Sequence, residues 1–152
     1  MLRELGHAVN RTQEAERWAS EIETLLKNTS PASGGIGLPL IWHEPLMAAN
    51  GNTYAGNMLT CTGFDVPKID PEGTGYPEVT AATIVEHGIT DLFLSSEPHE
   101  FTAEEGESLF KVLAALTPTP PRIHHIDGED LTWMGTRTLA GLKRLQAKWT
   151  QP

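Results

Sequence analysis

The stretch DLFLSSEPHEFTAEEGESLFKVLAALTPTPPRIHHI, residues 91 to 126, decides the fold. Asp91 to Ser95 is a short apolar run and reads as a buried strand. Thr102 then opens a helix, because it is a preferred N-cap and Glu105 sits three residues on, the pairing of a capping box. That helix ends before Pro118, and Arg122 to Ile126 forms the next strand. Strands that alternate with helices predict a mostly parallel sheet covered on both faces.

The same alternation extends to both sides. Upstream, Leu38 to Trp42 is an apolar run that reads as another strand, with Pro39 arguing for its start or for a sheet edge. Asn52 to Cys61 reads as a short helix closed by Gly63. Thr80 to His87 reads as another, with Thr80 as N-cap and Gly88 just past its end. Between them, Asp65 to Glu78 carries Pro67, Pro71, Gly73, Gly75 and Pro77, the composition of a long irregular loop. Such loops in compact domains are often functional. Downstream, Thr132 to Trp149 is the closing helix, with Leu139, Leu142, Leu145 and Trp149 on one face.

The N-terminal segment has a different character. Leu2, Leu5, Val9, Ala15, Ala19, Ile22 and Leu26 share one helical stripe and predict a single helix over residues 1–28. At 1.5 Å per residue it would be about 40 Å long, the length of a strut. Residues 29–35, rich in Ser, Pro and Gly, read as a linker. The expected organisation is thus a long helix, a linker and a Rossmann-like α/β lobe over residues 36–152.

The chain has 152 residues, 39% of them hydrophobic and 20% charged, which fits one globular core. Its 20 acidic against 11 basic residues leave a net charge of −9. Phosphate backbones repel such a surface, so nucleic acid is excluded as a first partner and a basic surface is favoured. The single cysteine, Cys61, forms neither an internal disulfide nor a multi-cysteine zinc site, and reads as a small packing residue. No stretch has the length of a membrane span, and MLRELGHAVN lacks the apolar core of a secretory signal.

In open α/β sheets, ligands bind outside the carboxyl ends of the strands. Here those ends run into Trp42-His43-Glu44-Pro45, Ser95-Ser96-Glu97-Pro98-His99 and Asp127-Gly128-Glu129-Asp130 with Trp133 behind, and Tyr76 in the long loop is placed to join them. Two chemistries compete. His43, Glu97 and Asp127 are ligand types for a hydrolytic metal centre, yet the usual local ligand spacings are absent. His124 and His125 are neighbours on a strand and point to opposite faces. No G-x-S-x-G elbow, Walker loop or G-x-G-x-x-G occurs. The other chemistry is binding without catalysis: Trp42, Tyr76 and Trp133 offer flat apolar faces suited to a large planar or macrocyclic ligand. A non-binding interaction module is the third reading.

A wider pattern supports binding. Leu40-Ile-Trp-His-Glu-Pro-Leu-Met47, Asn52-Thr-Tyr-Ala-Gly-Asn-Met-Leu59, Cys61-Thr-Gly-Phe64, Tyr76-Pro-Glu-Val-Thr80, Leu92-Phe-Leu-Ser-Ser-Glu-Pro98 with Phe101, and Asp127-Gly-Glu-Asp-Leu-Thr-Trp133 occur in this order. Together they resemble the C-terminal lobe of the helical-backbone metal receptors, the solute-binding proteins of ABC importers for cobalamin, iron-siderophores and heme. The likeness covers nearly all of residues 36 to 145. It implies two α/β lobes joined by a rigid helix, with the N-terminal lobe missing from this chain or replaced by a homodimer. It implies a corrinoid or ferric chelate as ligand, no catalytic cofactor, an ABC permease as partner, and a periplasmic or cell-surface location. Ligand-facing positions are then Trp42, His43, Tyr76, Glu97 and Trp133. The carboxylate that docks on the permease in this family falls where this chain has Ala81-Ala82-Thr83, so Glu78 is the nearest substitute.

Overall fold

The computed structural model describes residues 1–27 and 34–149. A sheet of four strands lies at its centre: β1 (Gly37–Trp42), β2 (Met47–Ala48), β3 (Asp91–Ser95) and β4 (Arg122–Ile126), in the spatial order β2-β1-β3-β4. β1, β3 and β4 are parallel, and only the two-residue β2 runs antiparallel, at the edge beside β1. The mostly parallel α/β lobe expected from the alternation of elements is present, and β3 and β4 have the bounds read from the sequence. β2 is the strand that escaped, because two residues carry no period.

Side-chain alternation sorts the core into two layers. Leu38, Leu40, Leu92 and Leu94 point to one face, where α4 (Ala81–Glu86) and α5 (Ala103–Leu116) cover them through Ile84 and Leu113. Phe93 points to the other and meets α3 (Tyr54–Thr60) through Met58 and Leu59, and α7 (Thr136–Trp149) through Leu142 and Leu145. Phe64, Phe93, His124 and Trp149 form an aromatic cluster on that face, with centroid separations of 4.6 to 5.7 Å. Gly37 is part of the fit, since a Cβ there would stand 3.0 Å from the Phe93 ring.

Pro39 sits inside the sheet rather than at a strand start or an edge. Its carbonyl accepts from Ala49 N at 2.9 Å, so its nitrogen faces the same, β2 side of the strand. The ladder to β3 therefore loses no donor, which removes the usual objection to proline in a central strand.

The N-terminal segment corrects the expectation of one long helix. It is two helices, α1 (Leu2–Ala8) and α2 (Thr12–Lys27). Asn10 adopts φ 56°, Arg11 N donates to Gly6 O and Asn10 N to His7 O, the pattern of a Schellman terminus. α1 then turns back against α2. Gly6 lies so close to Ala15 that a Cβ would come within 2.2 Å of the Ala15 Cβ. Arg3 reaches Glu16 and Glu23, both at 2.7 Å. A continuous apolar stripe fits one straight helix or two folded face to face, and the left-handed Asn10 selects the second. The expected linker falls mostly outside the described residues; Gly34 and Gly35 at its end are described. The closing helix, expected from Thr132, begins at Thr136 as α7; the polar turn before it holds a short α6 (Gly128–Thr132), and Trp133 to Gly135, where Gly135 has φ 81°, separates the two.

One buried carboxylate ties the amino ends of the strands together. Asp91 has no exposed surface. It accepts from Arg122 Nε and Nη2 at 2.8 Å each, from His124 Nε2 at 2.7 Å and from Thr90 Oγ1 at 2.7 Å. The Thr90 hydroxyl also accepts from Ile36 N, and Arg122 reaches Gly34 O, so the chain entering β1 joins the same network. Burial alone pushes the Asp91 carboxyl up, but the hydrogen bonds from Arg122, His124 and Thr90 together outweigh it and hold the group below its ordinary value.

A depressed folded-state pKa contributes stability above the unfolded value, about 3.9 for Asp, and loses it as pH falls through the lower folded value. Asp91→Asn should therefore cost about 2 kcal/mol in urea unfolding at neutral pH, since hydrogen bonds to a charged group are removed. The gap to the native protein should narrow as the pH falls below about 4. An unchanged gap down to acid pH would show that the charge of Asp91 is not what stabilises this edge.

Candidate functional site

Because β1, β3 and β4 are parallel, Trp42, the Ser95-Ser96-Glu97 turn and Asp127 emerge at one edge of the sheet, as the strand ends predicted. Two turns lock there. Ser95 Oγ donates to Glu97 O at 2.6 Å and accepts from Glu97 N at 3.2 Å. Gly128 N donates to Ser96 Oγ at 2.9 Å. Gly128 must be glycine, since a Cβ would fall 2.5 Å from Glu97 N. The Glu97 carboxylate is thereby held on a rigid turn rather than a loose loop.

Trp133 follows α6 and is fixed on several sides. Its indole Nε1 donates to Glu97 Oε2 at 2.8 Å. The Tyr54 hydroxyl bonds Thr138 Oγ1 at 2.7 Å and reaches Trp133 O at 3.4 Å. The Arg137 guanidinium lies 5.5 Å from the indole centroid and pairs with Glu129. Behind it the buried Asp130 bonds Arg144 and fastens α6 to α7. Even so, Trp133 remains 47% exposed and Met134 64%.

Tyr76 is presented by the long loop. Asn50, with no exposed surface, acts as its clamp: Nδ2 donates to Asp70 O at 2.7 Å and Oδ1 accepts from Ile69 N at 2.9 Å. Asn50 N donates to Gly75 O, Ala48 N to Pro77 O and Gly51 N to Pro67 O. A Cβ on Gly51 would stand 2.1 Å from the Val66 carbonyl oxygen, so the loop can approach only a glycine there. Two backbone bonds thus flank Tyr76 and leave its ring 43% exposed.

Tyr76, Glu97 and Met134, with Tyr54 and Ile41 beneath them, line a hollow of about 320 Å³. A second hollow, about 650 Å³, adjoins it through Glu97 and carries Glu100, Asp127, Glu129 and His125. Tyr76 and Glu97, both expected at the ligand face, are brought together, and the Trp133 indole joins them by its hydrogen bond to Glu97. Trp42 stands apart. It is 42% exposed, bonds Glu44 O through Nε1 at 3.0 Å, and meets His99 edge-on at 5.9 Å. His43 lies in a different group, stacked on His99 at 5.6 Å and against Phe101. Glu105 faces both imidazoles, at 3.1 Å from His99 Nε2 and 3.7 Å from His43 Nε2. The Thr102 backbone N–H, and after it the His99 hydrogen bond and the two histidine charges, hold the Glu105 carboxyl below its usual range. Glu78 is exposed beside β2, bridged through its backbone to Met47.

Among the described residues no three His, Cys, Asp or Glu side chains are placed to hold a metal ion, so His43, Glu97 and Asp127 do not share a centre. Burial pushes the Cys61 thiol up, away from the reactive thiolate. Sequence reasoning missed Asn50, Tyr54 and Met134. The Asn50-Gly51 pair was a visible turn signal; the hydroxyl partners of Tyr54 were not visible at all.

Neither a protein-family model nor a curated protein sequence matches this chain. Solved structures do. The periplasmic heme-binding protein HutB of Vibrio cholerae superposes with a TM-score of 0.74 at 18% identity, over 97% of this chain and 61% of that one. A possible iron-binding, periplasmic solute-binding protein of Staphylococcus epidermidis gives 0.68 at 14% identity, over 99% and 60%. The periplasmic vitamin B12-binding protein BtuF of V. cholerae gives 0.57 at 11% identity, over 91% and 51%. The fold is therefore one shared with periplasmic solute-binding proteins for heme, iron and vitamin B12. This chain spans about three-fifths of the length of the first two. These neighbours are binding proteins rather than enzymes.

Asn50→Ala would remove the side-chain partner of the Ile69 N–H and of the Asp70 carbonyl, two part-buried bonds. It should cost about 2 kcal/mol in urea unfolding and open the 65–78 loop to protease cleavage. A loop as resistant as in the native protein would show that Asn50 is not its clamp.

Proposed function

We propose that this chain is a solute-binding lobe of an ABC importer, taking a corrinoid or an iron chelate, heme included, on the carboxyl edge of its sheet, without catalysis. The observation that carries the reading is the exposed aromatic face of Tyr76 and Trp133, held rigidly around Glu97 in a fold shared with binding proteins for such ligands. Large aromatics left open to solvent suit stacking on a flat ligand, Trp133 with its indole N–H bonded to Glu97 and Tyr76 on a backbone pinned at Gly75 and Pro77, because less entropy is then lost on binding. Trp42 shares the sheet edge but stands outside the hollow, and His43 sits behind it through His99.

One lobe covers one side of a ligand, so a closed site requires an opposing face, from an N-terminal lobe or from a second copy. Glu78, exposed and without a side-chain partner among the described residues, is the acid available for a permease. The reading places the working protein outside the cytoplasmic membrane, in the periplasm or at the cell surface.

Cyanocobalamin and ferric heme absorb where indoles emit, so tryptophan quenching, corrected for the inner-filter effect, reads binding directly. One of them should quench saturably with a Kd of roughly 100 µM, since about half the contact of a closed site is present. Trp133→Ala should weaken that binding about tenfold, while Trp18→Phe on α2 should leave it unchanged. Absence of saturable quenching by both ligands would remove the ligand assignment.

A further inference from the structure

Resting on that reading, we infer that this face selects its ligand by charge and takes cationic or neutral macrocycles and chelates in preference to anionic ones. The argument begins with the groups around the aromatic face. The Tyr76 hollow contains Glu97 and no Lys or Arg among its described lining residues. The adjoining hollow adds Glu100 and Asp127, with Glu129 spent on Arg137, and its lining holds His125 but no Lys or Arg. The nearest guanidinium, Arg137, is turned over the Trp133 indole and paired with Glu129, so it is already neutralised.

The carboxylate at the centre is presented, not spent. Glu97 Oε2 accepts the Trp133 indole N–H, while Oε1 has no partner among the described residues. Its backbone is bound on both sides by Ser95 Oγ, so the carboxylate cannot swing far from the hollow. Aromatic faces attract cations through the negative potential over their rings. A carboxylate beside such faces adds a charge of the same sign. An anionic ligand would meet repulsion from Glu97 and from the rings together, and no Lys or Arg among the described lining residues offsets it. A tris-catecholate ferric chelate or a ligand with several free carboxylates pointing at this face is therefore disfavoured. A corrinoid with an amide periphery, or a positively charged hydroxamate chelate, is accepted.

Two planar macrocycles of one shape and opposite charge separate the ideas: tetrakis(N-methylpyridinium)porphyrin and tetrakis(sulfonatophenyl)porphyrin. Each is titrated into the full chain by tryptophan quenching at about 150 mM salt, where surface charges are screened beyond about 8 Å. The cationic porphyrin should bind at least about tenfold more tightly. Glu97→Gln should weaken it about fivefold, as loss of one close charge does. Glu86→Gln, an exposed acid at the end of α4 on the other edge of the sheet, removes the same net charge and should have little effect. Equal binding of the two porphyrins, or tighter binding of the anionic one, overturns the charge selection and leaves the binding lobe standing. Cationic binding weakened alike by both variants also overturns it, since overall charge would then be the cause. Failure of both porphyrins, cyanocobalamin and heme to bind overturns the binding lobe itself and this inference with it.

Discussion

The Asp91 carboxylate is the constraint on which the sheet depends. It lies without solvent contact at the first residue of β3, where an unpaired charge would cost several kcal/mol. Its partners come from both neighbours: Arg122 and His124 from β4, and, through Thr90, the Ile36 amide that leads into β1. Register in a parallel sheet is set by what each strand buries, and a slip of one residue would turn Phe93 to the wrong layer. The buried carboxylate penalises that slip a second time, because the observed pairing of Asp91 with the exposed Arg122 is what satisfies it. His124 extends the effect into the core, since the same ring that donates to Asp91 packs on Phe93 and Trp149.

Fixing the amino edge has a consequence for the carboxyl edge. The polar bonds there, Ser95 to Glu97 and Ser96 to Gly128, hold turns in shape but bury no charge. Aromatics and carboxylates are left facing outward, which a stable fold tolerates only when the rest of the sheet is secured elsewhere. The two edges thus differ in kind: the amino edge gathers its polar groups around the buried Asp91, and the carboxyl edge turns Trp42, Tyr76 and Trp133 outward.

Much of this was legible in the sequence. β3, the capping box at Thr102 and β4 were each set by strong local signals: a run of β-forming apolar residues, a paired Thr and Glu, and prolines that end the helix. The place of Glu97 followed from topology, because strand ends of a parallel sheet share an edge, whereas Tyr76 in the long loop was only a residue able to join it. What failed was whatever depends on a single backbone angle or on a distant partner. Asn10 in the left-handed region breaks the N-terminal stripe into a hairpin, and nothing in a helical period reports one residue's φ. Asn50 looks like a turn residue and is in fact a buried clamp. The turn of the His43 ring toward His99 and Glu105 likewise depends on distant partners that the sequence does not report.

The hairpin also bears on how the lobe is used. Arg3 bonds two exposed glutamates, and exposed ion pairs contribute little, about 0.2–1 kcal/mol each. α1 is held mainly by close packing of Gly6 on Ala15, while Leu5 and Val9 remain exposed at 59% and 56%. α2, by contrast, is anchored to the lobe, with Leu25 against the core and Glu21 on Lys143 of α7. The weak joint therefore lies between α1 and α2, not between α2 and the sheet. Displacement of α1 would uncover Ala15 and Ala19 on α2 without disturbing the Tyr76-Glu97 face, because no bond described here runs from α1 to that edge. The packing along α2 is thus independent of the Tyr76-Glu97 face.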